Sequence, residues 1–448
     1  LRAAPRDAAR QHAVLWQGEV VEVRGERMDY LQVYDHRRER GGFVRASQVR
    51  RTALTAAEAP ELLSVVRFLR DAPGAEALGI GFAATYIQAA PAEVLNSEAG
   101  IEVLDALGAF ADRMARRASS GVPQSKAAEA TLSAHLDVAA RYGINFTTNE
   151  REGRMQICYD GEAFRRVLAM RSNPEQRARA ALSLTRHECV NPDLRPQERN
   201  RMDEWRADVL DRVEASALPG YLKNRVLMRR ASVWASLAYQ RARKGEAADA
   251  AAQRALAELA AVSKTELTDD DMPAYSDAAM RVSASRWAAV PVPVSATGKG
   301  MHIVTVPGQA GETCVLLVGA KRDAGHPLAK RCTYGIVWAS SATRNREGTA
   351  LALAVQQMDA WRELWVFRKE IEGWTVRVLP PATTSPDVGY AEFAGWVPGG
   401  TQMLVAREAK GEGKYRRNFE LMRLETLATV RQAGDPSVLG AFQRWQDP

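Results

Sequence analysis

Four cysteines are the side chains of this 448-residue chain whose chemistry is easiest to interpret. They are Cys158, Cys189, Cys314 and Cys332, and the sequence contains no C-x-x-C pair and no Cys/His cluster with zinc spacing. Because structural zinc sites use closely spaced pairs of such ligands, the spacing predicts no metal site. Two interpretations are left, namely disulfide formation or burial as free thiols.

The positions of the cysteines favour two disulfides. Cys158 precedes one predicted helix and Cys189 ends the next, and in an antiparallel helical hairpin those two ends lie side by side. Cys314 and Cys332 lie in two segments of strand character, and the loop that joins these segments contains Gly and Pro. We therefore predict the pairs Cys158–Cys189 and Cys314–Cys332, and with them an oxidising compartment.

Two glycine-containing segments match nucleotide-binding loops only in part. Gly79, Gly81 and Ala84 fit G-x-G-x-x-A, but helix is predicted on both sides, whereas a dinucleotide site needs a preceding buried strand. Close packing between helices explains these small residues better. Segment 297–300 contains Gly-Lys, but Pro293 stands where a phosphate loop has its first glycine. We expect no cofactor.

The common catalytic signatures do not occur in this sequence. H-E-x-x-H, G-x-S-x-G and S-x-x-K are missing. His187, Glu188 and Cys189 could each ligate a metal, but adjacent residues on a helix point in different directions. We therefore predict no catalytic residues and no enzyme. A hydrolase whose site residues lie far apart along the chain is kept as an alternative.

Length and composition indicate a folded protein of two to four domains. The chain is 46% hydrophobic and 26% charged, as is usual for globular proteins. The net charge is +7, with 51 Arg and 10 Lys, but acidic residues are interspersed among the basic ones, so nucleic acid is not an expected partner. No apolar stretch approaches the ~18 residues that a membrane span requires, so we expect no transmembrane segment.

Residues 1–52 predict a small β module. Its pattern is Leu15-Trp16-x-Gly18, a Val-Glu-Val strand, a second strand at 29–33, and a closing Gly-aromatic-Val segment at 42–47. This order resembles the bacterial SH3 family, over less than a tenth of the chain. The resemblance implies a small barrel of a kind that often binds cell-wall peptides or other protein segments. The residues expected in the barrel core are Trp16, Val21, Val23, Leu31, Val33 and Val44.

The binding residues expected on this module flank one polar turn. Loops beside aromatic side chains are a common way to recognise peptides. We therefore predict that Tyr30, Tyr34, Asp35 and His36 bind a partner, with at least one of the two tyrosines facing outward. The alternative is a solvated turn with tyrosines that belong to the core.

Residues 53–290 predict an irregular helical domain, interrupted by a β-hairpin near 145–160. Asn173 followed by Pro174 is a typical helix start. The predicted helices cover 61–71, 76–89, 101–117, 126–142, 162–171, 174–188, 198–216, 221–244, 247–262 and 272–289.

Residues 291–448 predict an antiparallel β domain with an internal repeat. Trp338 is followed by strands near 348–355, 363–368 and 374–379, and Trp396 by strands near 402–407, 419–424 and 428–433. The repeat resembles blades of a β-propeller of the TolB or WD40 type, with a partial blade at 301–318. Because a closed propeller needs at least ~4 blades, an open or sandwich-like domain is expected.

Taken together, these features predict a multidomain α+β protein of the bacterial envelope. The chain begins with Leu1 and not Met, which removal of a signal peptide or trimming would explain, and we expect a periplasmic or otherwise envelope-associated protein. The predicted function is that of a non-catalytic binding or scaffold protein, with a protein or cell-wall peptide as partner. A permanent subunit of a larger envelope assembly is the main alternative.

Overall fold

The computed structural model describes seven segments of the chain, which are residues 1–120, 125–151, 153–291, 300–320, 324–383, 387–411 and 413–436. The chain divides into a first unit, Leu1–Leu194, and a second unit, Arg195–Pro448. This boundary falls inside the region 53–290, so each unit contains both helices and strands.

The first unit begins with a three-stranded antiparallel sheet. Its strands are β1 (Glu22–Arg27), β2 (Tyr30–Asp35) and β3 (Arg40–Arg45), in that spatial order. A short 3-10 helix, Ala46–Gln48, follows the third strand. The chain start joins the sheet, because the backbone N–H of Arg2 donates to the carbonyl of Phe43 (2.9 Å) and the carbonyl of Arg2 accepts the N–H of Phe43 (2.8 Å). The predicted N-terminal β module is thus present as a small sheet.

The core of this sheet is smaller than the sequence pattern predicted. Leu31 and Val33 are buried together with Leu1, and Val21 and Val44 pack partly buried against them. The prediction was wrong for two residues. Trp16 packs instead against the core of the following helices. Val23 is 43% exposed, because β1 is an edge strand with a neighbour on one side only.

Helices and one hairpin complete the first unit. They are α1 (Ala59–Arg70), α2 (Glu76–Ala89), α3 (Ala92–Leu95), α4 (Glu98–Ser119), α5 (Lys126–Arg141), the hairpin β4 (Phe146–Arg151) and β5 (Arg154–Tyr159), α6 (Glu162–Ala169) and α7 (Pro174–Leu184). The predicted start of α7 is confirmed. Asn173 Oδ1 accepts the backbone N–H of Gln176 (2.9 Å), whose side chain in turn accepts the N–H of Asn173 (3.0 Å).

The second unit places four helices before its strands. The helices are α8 (Pro196–Asp211), α9 (Gly220–Arg243), α10 (Asp249–Ala260) and α11 (Met272–Ser285). The strands are β6 (His302–Pro307), β7 (Thr313–Val318), β8 (Ala329–Thr333), β9 (Ile336–Arg344), β10 (Ala350–Met358), β11 (Trp361–Glu370), β12 (Gly373–Leu379), β13 (Gly389–Trp396), β14 (Gln402–Gly411), β15 (Lys414–Arg423) and β16 (Thr429–Ala433).

The predicted strands of both repeats are present, and in each repeat a further strand carries the Trp, Trp338 on β9 and Trp396 on β13, but the domain is not purely antiparallel. Strands β6–β8 form a three-stranded sheet, and β9–β16 form an eight-stranded one. Within the described residues, one pairing of the large sheet is parallel, between Trp361–Arg362 of β11 and Gly389–Tyr390 of β13. It arises because the chain leaving β12 returns to the start of β11, so the second repeat begins beside the first. The sheet is therefore mixed.

The two repeats share one core. Ala352 of β10 and Met422 of β15 belong to the same buried cluster, although four inter-strand steps separate these strands. The same cluster contains Val366 of β11, Ala391 of β13 and Val405 of β14, so one continuous apolar face runs across both repeats. Leu353 on the other face of β10 belongs to the same buried cluster as Val315 of β7. β10 is thus buried on both faces, which explains its run of alternating Ala and Leu.

A fully buried arginine lies where the two repeats meet. Arg362 on β11 has a side chain with no exposed area, and it forms an ion pair with Glu392 on β13. Its guanidinium also lies 5.4 Å from the centre of the Tyr390 ring. Burial lowers the pKa of Arg362, and the charge of Glu392 opposes that shift. The junction therefore depends on a charge pair that is mostly withdrawn from water.

Candidate binding cleft

A cleft of about 230 Å³ opens in the first unit between the N-terminal sheet and α5. One wall is the segment before β1, the second is the turn after β2, and the third is the C-terminal end of α5. The residues that line it are Gly18, Glu19, Val20, Asp35, His36, Arg37, Val138, Arg141 and Tyr142. Two of the four predicted binding residues, Asp35 and His36, are among them.

The floor of the cleft depends on a close approach of two backbones. Gly18 has a φ of +86°, and a Cβ at this position would lie 2.3 Å from the carbonyl oxygen of Ala77 in α2. Gly81 of α2 faces Gly18 in turn, since a Cβ on Gly81 would lie 3.0 Å from the Cα of Gly18. The hydroxyl of Tyr142 donates to the carbonyl of Gly18 (2.6 Å). Glycine is therefore required where the N-terminal segment meets the helices.

Close contacts of α2 with its neighbours explain the two glycines of the G-x-G-x-x-A segment. Gly79 and Gly81 lie inside α2, and a Cβ on Gly79 would lie 2.4 Å from the ring of Phe110. α1 precedes them, where a dinucleotide site would need a strand. The predicted interpretation as close helix packing agrees with this geometry. The other glycine-containing segment, 297–299 with Pro293, lies outside the described residues.

Glu19 is the most strongly bound carboxylate in the cleft. Its side chain is only 2% exposed. Its oxygens accept hydrogen bonds from Arg38 (3.0 Å), Arg141 (2.5 Å) and the backbone N–H of Trp16 (3.0 Å). Burial alone would raise the pKa of Glu19. The hydrogen bonds from Arg38, Trp16 and Arg141 outweigh burial and leave that pKa below its usual value. Glu19 thus ties the sheet to α5.

Asp35 shapes the turn that forms the second wall. It is 3% exposed, and its Oδ1 accepts the backbone N–H groups of Arg37 (3.1 Å) and Arg38 (3.3 Å). Its Oδ2 accepts from the Arg38 guanidinium at 2.5 Å. Both oxygens are engaged inside the protein, so Asp35 acts by holding the turn in place.

The two tyrosines differ in exposure. Tyr30 is 3% exposed, and its hydroxyl donates to Asp7 (2.5 Å), which Arg45 also contacts. The bond to Asp7 raises the pKa of Tyr30. Tyr34 is half-buried, and the guanidinium of Arg24 lies 3.9 Å from its ring centre. Tyr34 is therefore the tyrosine that faces outward, while the chain start covers Tyr30.

His36 connects this outer surface to the cleft. Its side chain is 69% exposed, its Nε2 lies 2.7 Å from Glu22, and its ring contacts that of Tyr34 edge-on at 5.0 Å. Tyr34, Asp35 and His36 are thus neighbours, as predicted, whereas Tyr30 lies apart. The sequence analysis missed Val138, Arg141 and Tyr142, because no local pattern connects α5 with residues about 120 positions earlier.

The lining of the cleft combines paired charges with one arginine that has no acidic partner among the described residues. The charges of Glu19 and Asp35 are matched by Arg38 and Arg141. The guanidinium of Arg37 forms no ion pair within the described part of the chain, so the cleft carries an excess positive charge. An anionic group is therefore the complementary ligand.

Both predicted disulfides are confirmed. Cys158 on β5 is bonded to Cys189, which lies in the 3-10 helix His187–Cys189, with the Cα atoms 5.7 Å apart. Cys314 on β7 is bonded to Cys332 on β8. His187 and Glu188 belong to the short helix that presents Cys189. Such bonds are typical of proteins from oxidising compartments.

One buried histidine next to the cleft predicts sensitivity to acid. His135 of α5 is 6% exposed, and its ring contacts Trp16 edge-on at 6.3 Å. Burial lowers its pKa from 6.5, Arg117 of α4 lowers it further, and Glu76 of α2 opposes both. Below pH 6.5 the side chain of His135 is protonated in the unfolded chain, whereas in the folded chain it stays neutral until the pH reaches its lowered pKa. Stability therefore falls as the pH decreases, until the pH passes the lowered pKa of the folded state.

We expect the first unit to lose up to about 1.4 kcal/mol per pH unit below pH 6.5 through His135. Hydrogen–deuterium exchange of peptides from Leu1–Leu194 in the full chain, measured between pH 7 and pH 5, would show this loss. His135→Gln should flatten the dependence, whereas His36→Gln, an exposed histidine, should leave it unchanged. An identical slope in the His135 variant would contradict the assignment.

The comparisons with known proteins give no family for this chain, because no protein-family model, no curated protein and no solved structure matches it. Among the described helices, none combines the length and the apolar character needed to cross a membrane.

Proposed function

We propose that this is a non-catalytic binding or scaffold protein of the bacterial envelope, which holds a segment of a partner in the cleft between its N-terminal sheet and α5. The observation that carries the proposal is the cleft itself, of about 230 Å³, with the exposed His36 in its lining and the half-buried Tyr34 in contact with the His36 ring. Partly exposed aromatic side chains beside a concave surface are frequent in peptide-binding sites.

The N-terminal sheet supports the resemblance to the SH3 family. A three-stranded antiparallel meander is followed by the 3-10 helix Ala46–Gln48, and Val49 after that helix packs on Leu31 and Val33. We infer an SH3-like module whose recognition surface includes the turn after β2. The family's frequent partners, cell-wall peptides and other protein segments, are therefore the proposed partner class.

The chemistry of the cleft narrows the partner to an acidic segment with an apolar side chain. Arg37 supplies the unmatched positive charge, while Val20, which is 69% exposed, supplies an apolar contact. A carboxylate would pair with the charge of Arg37, and an aliphatic side chain next to that carboxylate would fill the apolar surface. Such a group occurs in acidic protein segments and at the ends of peptides alike.

The two disulfides support a periplasmic or other envelope location. Both bonds would be reduced in a typical bacterial cytoplasm, whereas extracytoplasmic compartments preserve them. In such a compartment the accessible partners are proteins of the envelope and the peptides of the cell wall, which agrees with the proposed partner class.

Reversal of the charge at Arg37 should weaken capture of an acidic peptide. We would pan a random peptide display library against the full-length protein and measure the enriched peptides by calorimetry. Enrichment of Asp or Glu beside aliphatic residues is expected, and Arg37→Glu should lower the affinity about tenfold, which is ~1.4 kcal/mol. Arg40→Glu is the matched control, because Arg40 is exposed and contacts the carbonyl of His12 outside the cleft.

Filling the cleft provides a second test that does not depend on charge. Val20→Trp should block binding with little change in stability, because Val20 is mostly exposed. Peptide capture that survives both Arg37→Glu and Val20→Trp would place the interface elsewhere. The permanent-subunit hypothesis would then be preferred.

A further inference from the structure

A carboxylate lies beside the disulfide of the second unit. Glu312 immediately precedes β7, and Cys314 and Cys332 stand directly opposite each other on β7 and β8. One carboxylate oxygen of Glu312 and the two sulfur atoms all lie within 4.8 Å of one another. Cys314 is buried, whereas Glu312 and Cys332 are half-buried. The cluster can therefore be reached from solvent on the side of Cys332.

A tight turn holds the carboxylate at this position. The N–H of Gly308 donates to the carbonyl of Glu312 (2.9 Å), and the N–H of Glu312 donates to the carbonyl of Gln309 (2.8 Å). The backbone N–H of Gln309 also donates to Glu312 Oε2 (3.0 Å). A Cβ on Gly308 would lie 2.4 Å from that oxygen and 2.9 Å from Cys314 Sγ. Glycine thus leaves open the space beside the carboxylate and the sulfur.

The two disulfides contribute differently to the fold. β7 and β8 are already paired at five positions, from Thr313–Thr333 to Leu317–Ala329, so the chain between the cysteines is closed without the bond. Cys158–Cys189 instead joins β5 to a 3-10 helix, with no strand ladder between them. Because a disulfide stabilises mainly by restricting the unfolded chain, and less for a shorter loop, Cys314–Cys332, with a sequence separation of 18, adds less stability than Cys158–Cys189, with a separation of 31. The strand ladder keeps β7 and β8 together when the bond opens.

We propose that Glu312, Cys314 and Cys332 form a redox-controlled site for a thiophilic divalent cation, with Zn²⁺ as the representative ion. In the oxidised protein the sulfur atoms are bonded to each other and cannot act as thiolates. A dithiol reductant attacks the more accessible sulfur, that of Cys332. The S–S bond breaks, two electrons and two protons pass to the cysteines, and the reductant becomes a disulfide.

The reduced site supplies two thiolates and one carboxylate. Binding of the cation displaces the two thiol protons into solvent, and a water molecule completes four-coordination. Three protein ligands with one open position distinguish this arrangement from a closed structural zinc site. The proposal is independent of the cleft in the first unit.

Titration with Cd²⁺ tests the site, because cadmium thiolates absorb in the ultraviolet. The full-length protein would be reduced by a dithiol, desalted without oxygen and titrated, while alkylation and peptide mapping identify the opened cysteines. We expect Cys314 and Cys332 to open first, one Cd²⁺ to bind per chain, and the oxidised protein to give no thiolate band. Competition with Zn²⁺ should remove that band.

Three variants decide between the outcomes. Cys314→Ser/Cys332→Ser should abolish the thiolate band, and any band that persists would arise from Cys158 and Cys189 and overturn the proposal. Glu312→Gln, which keeps both cysteines and the turn, should weaken Cd²⁺ binding at least tenfold. Glu372→Gln, an exposed glutamate between β11 and β12, is the matched control and should bind normally. Unchanged affinity in Glu312→Gln, or opening of Cys158–Cys189 before Cys314–Cys332, would also overturn it.

Discussion

Replacing Gly18 with alanine is expected to destabilise the first unit by about 3 kcal/mol and to close the cleft. The left-handed φ of +86° costs an alanine about 1 kcal/mol. The added Cβ would also lie 2.3 Å from the carbonyl oxygen of Ala77, so a backbone must move, at a cost of about 2 kcal/mol. Chemical denaturation of the full chain, followed by hydrogen exchange of first-unit peptides, would measure the loss.

Gly74→Ala separates the two causes. Gly74 has a φ of +83°, close to that of Gly18, but a Cβ there would have no atom within 4 Å. This control should therefore cost only about 1 kcal/mol. It should also leave peptide capture unchanged. Equal losses in both variants would mean that backbone strain alone matters at Gly18 and that its contact with α2 does not.

Replacing Glu392 with leucine is expected to destabilise the second unit by about 3–5 kcal/mol. The substitution leaves Arg362 buried without its counter-ion, since the side chain of Arg362 has no exposed area. Arg286 also lies 3.7 Å from Glu392, but its side chain is 45% exposed and can turn towards water. Thermal unfolding together with hydrogen exchange of peptides from β11 and β13 would report the loss.

The double variant Arg362→Met/Glu392→Leu provides the control for that experiment. It replaces both charges by apolar groups of similar size, so no charge is left unpaired at the junction of the two repeats. We expect it to recover most of the stability lost by Glu392→Leu. If the double variant were as unstable as the single one, the loss would come from packing around Glu392 and not from the unpaired arginine.

Features that depend on short stretches of chain could be predicted without the structure. The alternation of apolar residues predicted the strands of the N-terminal sheet and of the two C-terminal repeats. Asn173 with Pro174 predicted the start of α7. Both disulfides followed from the positions of the cysteines relative to predicted elements. Periodicity, capping and turn preferences act over about ten residues, so they can be recognised in a single sequence.

The contacts between distant segments could not be predicted from local patterns. Trp16 has the pattern of a barrel residue but packs on helices, because a large apolar side chain is buried wherever the greater apolar surface is available. Tyr30 and Tyr34 lie four residues apart on β2 and therefore on the same face of the strand, yet the chain start covers only Tyr30. The parallel pairing of β11 with β13 depends on where the chain returns after β12.

Both candidate sites also consist of residues that only the folded chain brings together. Arg141 reaches Glu19 across 122 residues, and the cleft exists only because Gly18 and Gly81 let two backbones approach. Glu312 stands near Cys314 in sequence, but pairing of β7 with β8 is what brings Cys332 to the same carboxylate. Local patterns determine secondary structure, whereas sites form from contacts between segments, whose partners are selected by packing and charge over the whole unit.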